Sequence, residues 1–296
     1  MKLVVFRKRT SQPNAGLGYR VGALLDNNQI ADLTPEFLAN GLPAADILKC
    51  FDLSLDFLTP ATNAINSGTA QIFERNEIEL YAPVPRPGKI VCIGLNYRDH
   101  AEESGMTIPT SPIVFSKFPT AVIGPDSAIE LPLESAEVDY EAELAVIIGR
   151  KARQVSAGDA MNFVFGYTNF NDVSARDLQF ADGQWQRGKS CDTFAPMGEY
   201  VATKDEIPDP HRLQISFRLN GETLQDSTTA QMIFRIPDLI EFISRTITLE
   251  PGDVIATGTP PGVGFARDPK IFLRAGDVAE VEIEGLGVLK NSVVGR

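Results

Sequence analysis

Val138-Asp-Tyr-Glu-Ala-Glu-Leu-Ala-Val-Ile-Ile-Gly149 is the stretch on which the fold turns. Leu144–Ile148 is apolar throughout, the pattern of a strand buried on both faces. Glu141 and Glu143 stand two apart and so project to one side of that strand. Two adjoining carboxylates at a buried strand repel each other, and either a proton or a cation must relieve them. A hard divalent ion with oxygen ligands is the natural relief. The competing reading is an edge strand whose two glutamates face water.

Outward from this run, Phe163–Asp172 is a second apolar strand that ends in a carboxylate. Asp172 fits either a turn residue or a third ligand. Ser174-Ala-Arg-Asp177 has the form of a capping box opening a helix. Ile90–Gly94, Pro112–Phe118 and Val254–Thr257 are further compact strands. Asn220-Gly221 between Leu213–Leu219 and Glu222–Leu224 predicts a type I′ hairpin, and Glu284-Gly285 divides another pair. Ile236, Leu239, Ile240, Ile243 and Ile247 recur at helical spacing, with Pro237 in the first turn. Before residue 82, Lys2–Phe6 reads as a strand. Tyr19–Leu25 and Gln29–Leu33 form a hairpin about Asp26-Asn27-Asn28. Short helices are expected after Pro35, after Pro43 and around Ser54–Ile65. Ala82-Pro-Val-Pro-Arg-Pro-Gly-Lys89 is a stiff connector, because each proline fixes its own φ and biases its predecessor. The expectation is a small N-terminal domain, 1–82, and a catalytic domain, 83–296. Strands do not alternate with helices, so a doubly wound sheet is unsuited and a β-rich α+β fold is expected.

His100 in Asn96-Tyr-Arg-Asp-His-Ala-Glu-Glu-Ser-Gly105 would share a helix face with Glu103, three residues on. A carboxylate bonded to an imidazole orients it and raises its basicity, as a general base requires. An exposed His beside a Glu fits the same letters. His211, in Asp209-Pro-His-Arg212, reads as a surface residue. Lys117 and Lys189 follow or precede apolar runs and suit either an anionic substrate or a solvated surface. Thr257-Gly-Thr-Pro-Pro-Gly-Val-Gly264 offers hydroxyls and free N–H groups as a carboxylate cradle. It lacks the Gly-Lys-Ser/Thr of a nucleotide loop.

The net charge of −12 over 296 residues makes nucleic acid and acidic membranes poor partners. Hydrophobic content of 43% is that of an ordinary globular chain. Three widely spaced cysteines form neither a disulfide framework nor a zinc motif. The start, Met1–Thr10, has the reverse order of a signal peptide. These features point to the cytosol.

Five segments in order resemble the fumarylacetoacetate hydrolase family: Gly94–His100, Asp139–Leu144, Asn171–Asp177, Gly188–Ser190 and Thr257–Gly264. The resemblance runs from about Ile90 to Val293 and is nearest to members with a short N-terminal extension. It implies a mixed β-roll with a small N-terminal α/β extension, usually as a homodimer. It implies Mg²⁺ or Mn²⁺ (Ca²⁺ being a further option) on Glu141, Glu143 and Asp172. His100, Glu103 and Lys189 match catalytic positions, and Lys117, Arg176, Gln179 and Thr259 match substrate-binding ones. Ala142 departs from the pattern, which commonly has glycine there. The implied reaction is C–C hydrolysis of a 2,4-dioxo acid such as an acylpyruvate, fumarylpyruvate or diketo-deoxy sugar acid. His100 would activate water, and Lys189 would stabilise the oxyanion. The same site would serve oxaloacetate decarboxylation, oxaloacetate keto–enol tautomerisation or isomerisation of a hydroxymuconate-type diacid. A non-catalytic binding protein would be expected to have lost a ligand or the base, and all are present.

Overall fold

The structure is a computed structural model that describes residues 1–9, 18–43 and 46–295. At its centre Ala142–Ile148 pairs antiparallel with Val164–Asn171, in register from Ala142 opposite Asn171 to Ile147 opposite Gly166. Every residue of both strands is buried. The unbroken apolar run therefore means what it predicted, a strand covered on both faces. Val254–Ala256 flanks this pair antiparallel and runs parallel to Ile90–Gly94, which in turn pairs with Ile113–Lys117 at the sheet edge.

On the other side Val201–Thr203 joins Val164–Asn171 and pairs with Lys2–Lys8. The sheet then continues through Arg20–Leu24, Ile30–Asp32 and Gln71–Phe73, giving 11 strands among the described residues. The strands before the proline connector are thus laid onto the same sheet as those after it. A second, five-stranded sheet, from Glu222–Thr228 through Gln214–Leu219, Val278–Ile283 and Gly287–Gly295 to Ile129–Leu131, packs against the central pair. Tyr140 stacks on Phe217 between the layers, with ring centroids 4.0 Å apart. The β-rich α+β class follows from these two mixed sheets and their short helices.

Local chemistry accounts for the turns. Asn28 sits at φ +64°, and Asn220 and Gly221 at +54° and +85°, as a type I′ turn demands. Helices form at Thr34–Ala39 and Leu58–Ser67, and a single 3₁₀ turn forms at Ile47–Phe51. The helix with apolar periodicity is Ile236–Ser244, which buries Leu239, Ile240 and Ile243. It stops before Ile247, which is exposed. Among the described residues no helix is long and apolar enough to cross a membrane.

His211 departs from its expected surface role. Its side chain is only 13% exposed, and its Nε2 accepts the Ile236 N–H at 3.2 Å, capping that helix. The acceptor must be the neutral ring, and burial, then Arg235, push the pKa below the usual 6.5. The unfolded chain therefore binds more protons just below 6.5, so this contribution is complete above 6.5 and lost as pH falls through the folded value. His211→Ala is expected to cost about 1 kcal/mol at neutral pH. Urea melts at about pH 8 and about pH 5 should show a smaller acid-side loss of stability in the variant than in the parent.

Candidate active site

The register of the central pair assembles the acidic cluster. Ala142 lies opposite Asn171, so Glu141 and Asp172 meet where the two strands begin and end. Asp172 N–H donates to the Glu141 carbonyl at 2.9 Å, and Glu141 N–H donates to Asn171 Oδ1 at 3.1 Å. Glu143, one pleat along, points to the same side. Carboxylate oxygens of Glu141, Glu143 and Asp172 lie within 4.8 Å of one another, and all three residues are buried.

Three cations brace two of these carboxylates. Lys189 Nζ donates to Glu141 Oε2 at 2.8 Å and Asp172 Oδ2 at 3.0 Å. Arg176 Nη1 lies 2.7 Å from Glu141 Oε1. Lys117 bonds Asp172 Oδ1 and donates to the Val173 carbonyl at 2.8 Å. Glu143 has no such partner among the described residues; Gly258 N–H donates to it at 2.9 Å. The electrostatics divide accordingly. Burial raises the Glu141 carboxyl, but Lys189 and Arg176 outweigh it and hold the pKa at about 2. Burial, reinforced by Asp172 and Glu141, pushes Glu143 well up. Burial opposes the Lys189 ammonium, yet Asp172 and Glu141 more than compensate and keep it protonated.

With Asp139, four buried carboxylates face the buried Lys117, Arg176 and Lys189, so full ionisation would leave one negative charge uncompensated, which either a proton on Glu143 or a bound cation relieves. A three-carboxylate, all-oxygen donor set with a deficit of positive charge beside Glu143 fits a hard divalent ion. Such an ion would reverse the sign of the cluster and make it receptive to an anionic substrate.

Above this floor is a cavity of about 500 Å³. His100, Glu103, Glu141, Glu143, Arg176, Gln179, Lys189 and Thr259 all line it. Lys117 and Asp172 do not; Lys117 is spent behind the cluster as the anchor of Asp172 rather than as a wall facing a substrate. His100 rides on the short helix Arg98–Glu103, and its Nδ1 is 3.2 Å from Glu103 Oε2. Asp99 fastens that helix by accepting the Ser227 hydroxyl at 2.5 Å. Ala142 is fully buried and donates its N–H to Gln225 Oε1 at 2.9 Å, so the methyl that replaces the usual glycine is accommodated.

Two sequence expectations change here. The threonine loop is not a free cradle for a substrate carboxylate. Its N–H groups already serve the protein's own carboxylates: Gly258 serves Glu143, Gly262 serves Glu103 at 3.0 Å, and Gly264 serves Asp139 at 2.7 Å. Nor is Ser174 a cap. Its hydroxyl bonds the Asp172 carbonyl at 2.8 Å, while Asp177 accepts from Ser135 and Ala136, and Arg176–Phe180 starts without a side-chain cap. The residue that sequence reasoning missed is Asp139. It accepts Arg176 Nε and Nη2 at 2.9 and 2.8 Å as well as the Gly264 and Phe265 N–H groups, and so orients Arg176 and the loop together. Its signal was present, since residues 139, 141 and 143 alternate along one face.

Gly262 carries a testable consequence. Its φ is +98°, and a Cβ there would meet the Leu224 carbonyl oxygen at 2.1 Å. Gly262→Ala should therefore strain the backbone and withdraw the N–H that holds Glu103. A loss of about 2 kcal/mol or more is expected, read as a drop in denaturant midpoint. An unchanged midpoint would show that the loop relaxes freely.

Residues 89–294 match the C-terminal domain of fumarylacetoacetate hydrolase, and the chain belongs to that family. Among its relatives is the mitochondrial oxaloacetate tautomerase Fahd2a of Rattus norvegicus, 43% identical over 297 residues, covering 99% of this chain and 92% of that one. The mitochondrial oxaloacetate tautomerase FAHD2A of Bos taurus is 51% identical over 225 residues, covering 75% of this chain and 72% of its own. Among solved structures, the fumarylacetoacetate hydrolase EaFAH from psychrophilic Exiguobacterium antarcticum has a TM-score of 0.86 at 35% identity, with 100% of each chain covered. The 5-carboxymethyl-2-hydroxymuconate delta-isomerase of Mycobacterium smegmatis has a TM-score of 0.76 at 32% identity, covering 100% of this chain and 99% of that one. The chain is thus an enzyme of this family. The cytosolic expectation is corrected by the same relatives, which are mitochondrial by name. It rested on the cysteine pattern and on the order of the first residues, and unpaired cysteines report a reducing environment without distinguishing one compartment from another.

Proposed function

We propose that the chain interconverts the keto and enol forms of a 2-oxo acid, oxaloacetate foremost, with a divalent ion on Glu141, Glu143 and Asp172. The observation that carries this is a carboxylate triad, two of whose members, Glu141 and Glu143, line one cavity together with a carboxylate-held imidazole. Relatives named as oxaloacetate tautomerases favour this reading over C–C hydrolysis, which the sequence put first. The ion, Mg²⁺ or Mn²⁺ or else Ca²⁺, would supply a Lewis acid for the 2-oxo oxygen. His100, oriented by Glu103, takes the proton from C3 and returns one at the 2-oxygen. Lys189, kept protonated by its carboxylates, stabilises negative charge developing on that oxygen. Arg176, Gln179 and Thr259 bound the space the substrate fills, and Lys117 keeps Asp172 in position.

Every described residue lining the cavity lies beyond residue 83, which supports 83–296 as the catalytic unit and 1–82 as an extension of its scaffold. A homodimer is the assembly proposed with it. The test follows loss of enol absorbance from oxaloacetate, with Mg²⁺ or with chelator, while pyruvate and carbon dioxide are assayed. Metal-dependent loss of absorbance without either product is expected. Pyruvate with carbon dioxide would replace the reading with decarboxylation. Pyruvate and an acid from acylpyruvates, without tautomerisation, would replace it with hydrolysis.

A further inference from the structure

The cavity is far larger than a four-carbon diacid needs. About 500 Å³ falls in the range of pockets that enclose drug-sized ligands. Its walls above the carboxylate floor are aromatic. Phe115 and Trp185 meet edge to face, with ring centroids 5.3 Å apart, and Phe180 and Phe265 lie 5.5 Å apart in a second, tilted pair. Met106 and Ile113 extend the same lining. The seat of the indole is built in, because a Cβ on Gly94 would come within 2.9 Å of the Trp185 ring. Phe180 is 52% and Met106 55% exposed, an apolar surface facing water as unfilled ligand grooves do.

Charge points the same way. Among the described residues, the cavity-lining groups able to carry positive charge are His100, Arg176 and Lys189. Arg176 is committed to Asp139 and Glu141, and Lys189 to Glu141 and Asp172. Lys270 lies over the Phe265 ring but does not line the cavity. A substrate's first carboxylate has the metal cluster to meet. Away from the floor no uncommitted cation lines the walls, so a four-carbon diacid would keep both carboxylates near the floor while the upper cavity suits an uncharged group.

We propose that the site also tautomerises monoanionic 2-oxo acids that carry an aromatic group on C3, the arylpyruvates. This rests on the keto–enol reading above. The pyruvoyl head would occupy the carboxylate floor, and the aryl ring would lie between the two aromatic pairs. The reaction needs no co-reactant. A C3–H bond breaks, its electron pair becomes the C2–C3 double bond, the carbonyl π pair moves to the 2-oxygen, and a proton adds there.

The test compares phenylpyruvate, oxaloacetate and pyruvate as substrates of the Mg²⁺-loaded protein, trapping the aryl enol with borate. Phenylpyruvate is expected to react with a kcat/KM within about tenfold of oxaloacetate and well above pyruvate. Phe180→Ala, at a half-exposed position that the fold can spare, should lower the phenylpyruvate-to-oxaloacetate ratio of kcat/KM by about tenfold. Trp185 is the one tryptophan, so its fluorescence reports binding of unreactive 3-phenyllactate independently of turnover. Oxaloacetate turnover with phenylpyruvate left at its uncatalysed rate would overturn the proposal and leave the functional reading standing. So would a ratio unmoved by Phe180→Ala. Inertness toward both substrates would overturn the two together.

Discussion

Glu143→Gln is expected to raise the melting temperature of the metal-free protein while abolishing its response to Mg²⁺. Most substitutions at a buried polar residue destabilise, so the sign is informative. Glu143 is 1% exposed, faces Glu141 and Asp172, and takes a hydrogen bond from Gly258 without any bonded cation among the described residues. An amide of the same shape still accepts that N–H and removes both the like-charge repulsion and the cost of taking up a proton to avoid it. Relief of a buried, unpaired charge is worth about 1–3 kcal/mol, or a few degrees in a chain of this size. In the parent, saturating metal should add about 2.7 kcal/mol at a hundredfold excess over Kd, and the variant should gain none of it. Turnover should fall by about a thousandfold or more with the Lewis acid gone. Asp172→Asn supplies the contrast. Asp172 is the one carboxylate bonded to Lys117 and one of two bonded to Lys189, so its neutralisation leaves the buried Lys117 ammonium without a carboxylate and weakens the hold on Lys189, and should destabilise by about 3 kcal/mol. A Glu143→Gln protein that melts lower without metal, or still shifts with Mg²⁺, would contradict this account of the cluster.

The contrast between these two ligands marks where the sequence stops being legible. Glu141 and Glu143 could be read because strand alternation and a flanking apolar run are local properties. Asp172 could not be decided, because its place depends on the register of two strands, a register that slips at a bulge between Ile147 and Ile148. The His100–Glu103 pair was visible as a helical i, i+3 spacing and is present at 3.2 Å. The threonine loop was misread for the opposite reason. Its glycines are local and obvious, but the carboxylates that occupy their N–H groups lie 115, 125 and 159 residues away in sequence. A donor looks free until its distant acceptor is known. His211 follows the same rule, since the N–H it accepts belongs to a helix it precedes by 25 residues. The proline connector could suggest a boundary, but nothing in it says that Lys2–Lys8 pairs with Val201–Thr203.

His100→Asn should separate chemistry from metal binding. None of the three carboxylates bonds His100, so the Mg²⁺-induced rise in melting temperature is expected to survive the substitution. The imidazole nevertheless lies near enough that its positive charge, when present, helps lower the Glu141 carboxyl, after the larger effects of burial, Lys189 and Arg176. A base so close to the cluster can reach a substrate held there, and its loss should lower kcat for tautomerisation by about 10²–10⁴. Asparagine suits the test because its amide can still donate to Glu103, leaving that carboxylate on Gly262 N–H and the helix on its loop. Glu103→Gln should be milder, about ten- to a hundredfold, because it keeps an acceptor for Gly262 and removes only the charge that orients the ring. Enol absorbance decay gives kcat, and thermal shift with Mg²⁺ gives metal binding on the same samples. Full turnover in His100→Asn would remove the imidazole from the reaction. Loss of the Mg²⁺ shift would mean that His100 shapes the metal site itself, and the division of labour between the carboxylate floor and the His100 helix would have to be redrawn.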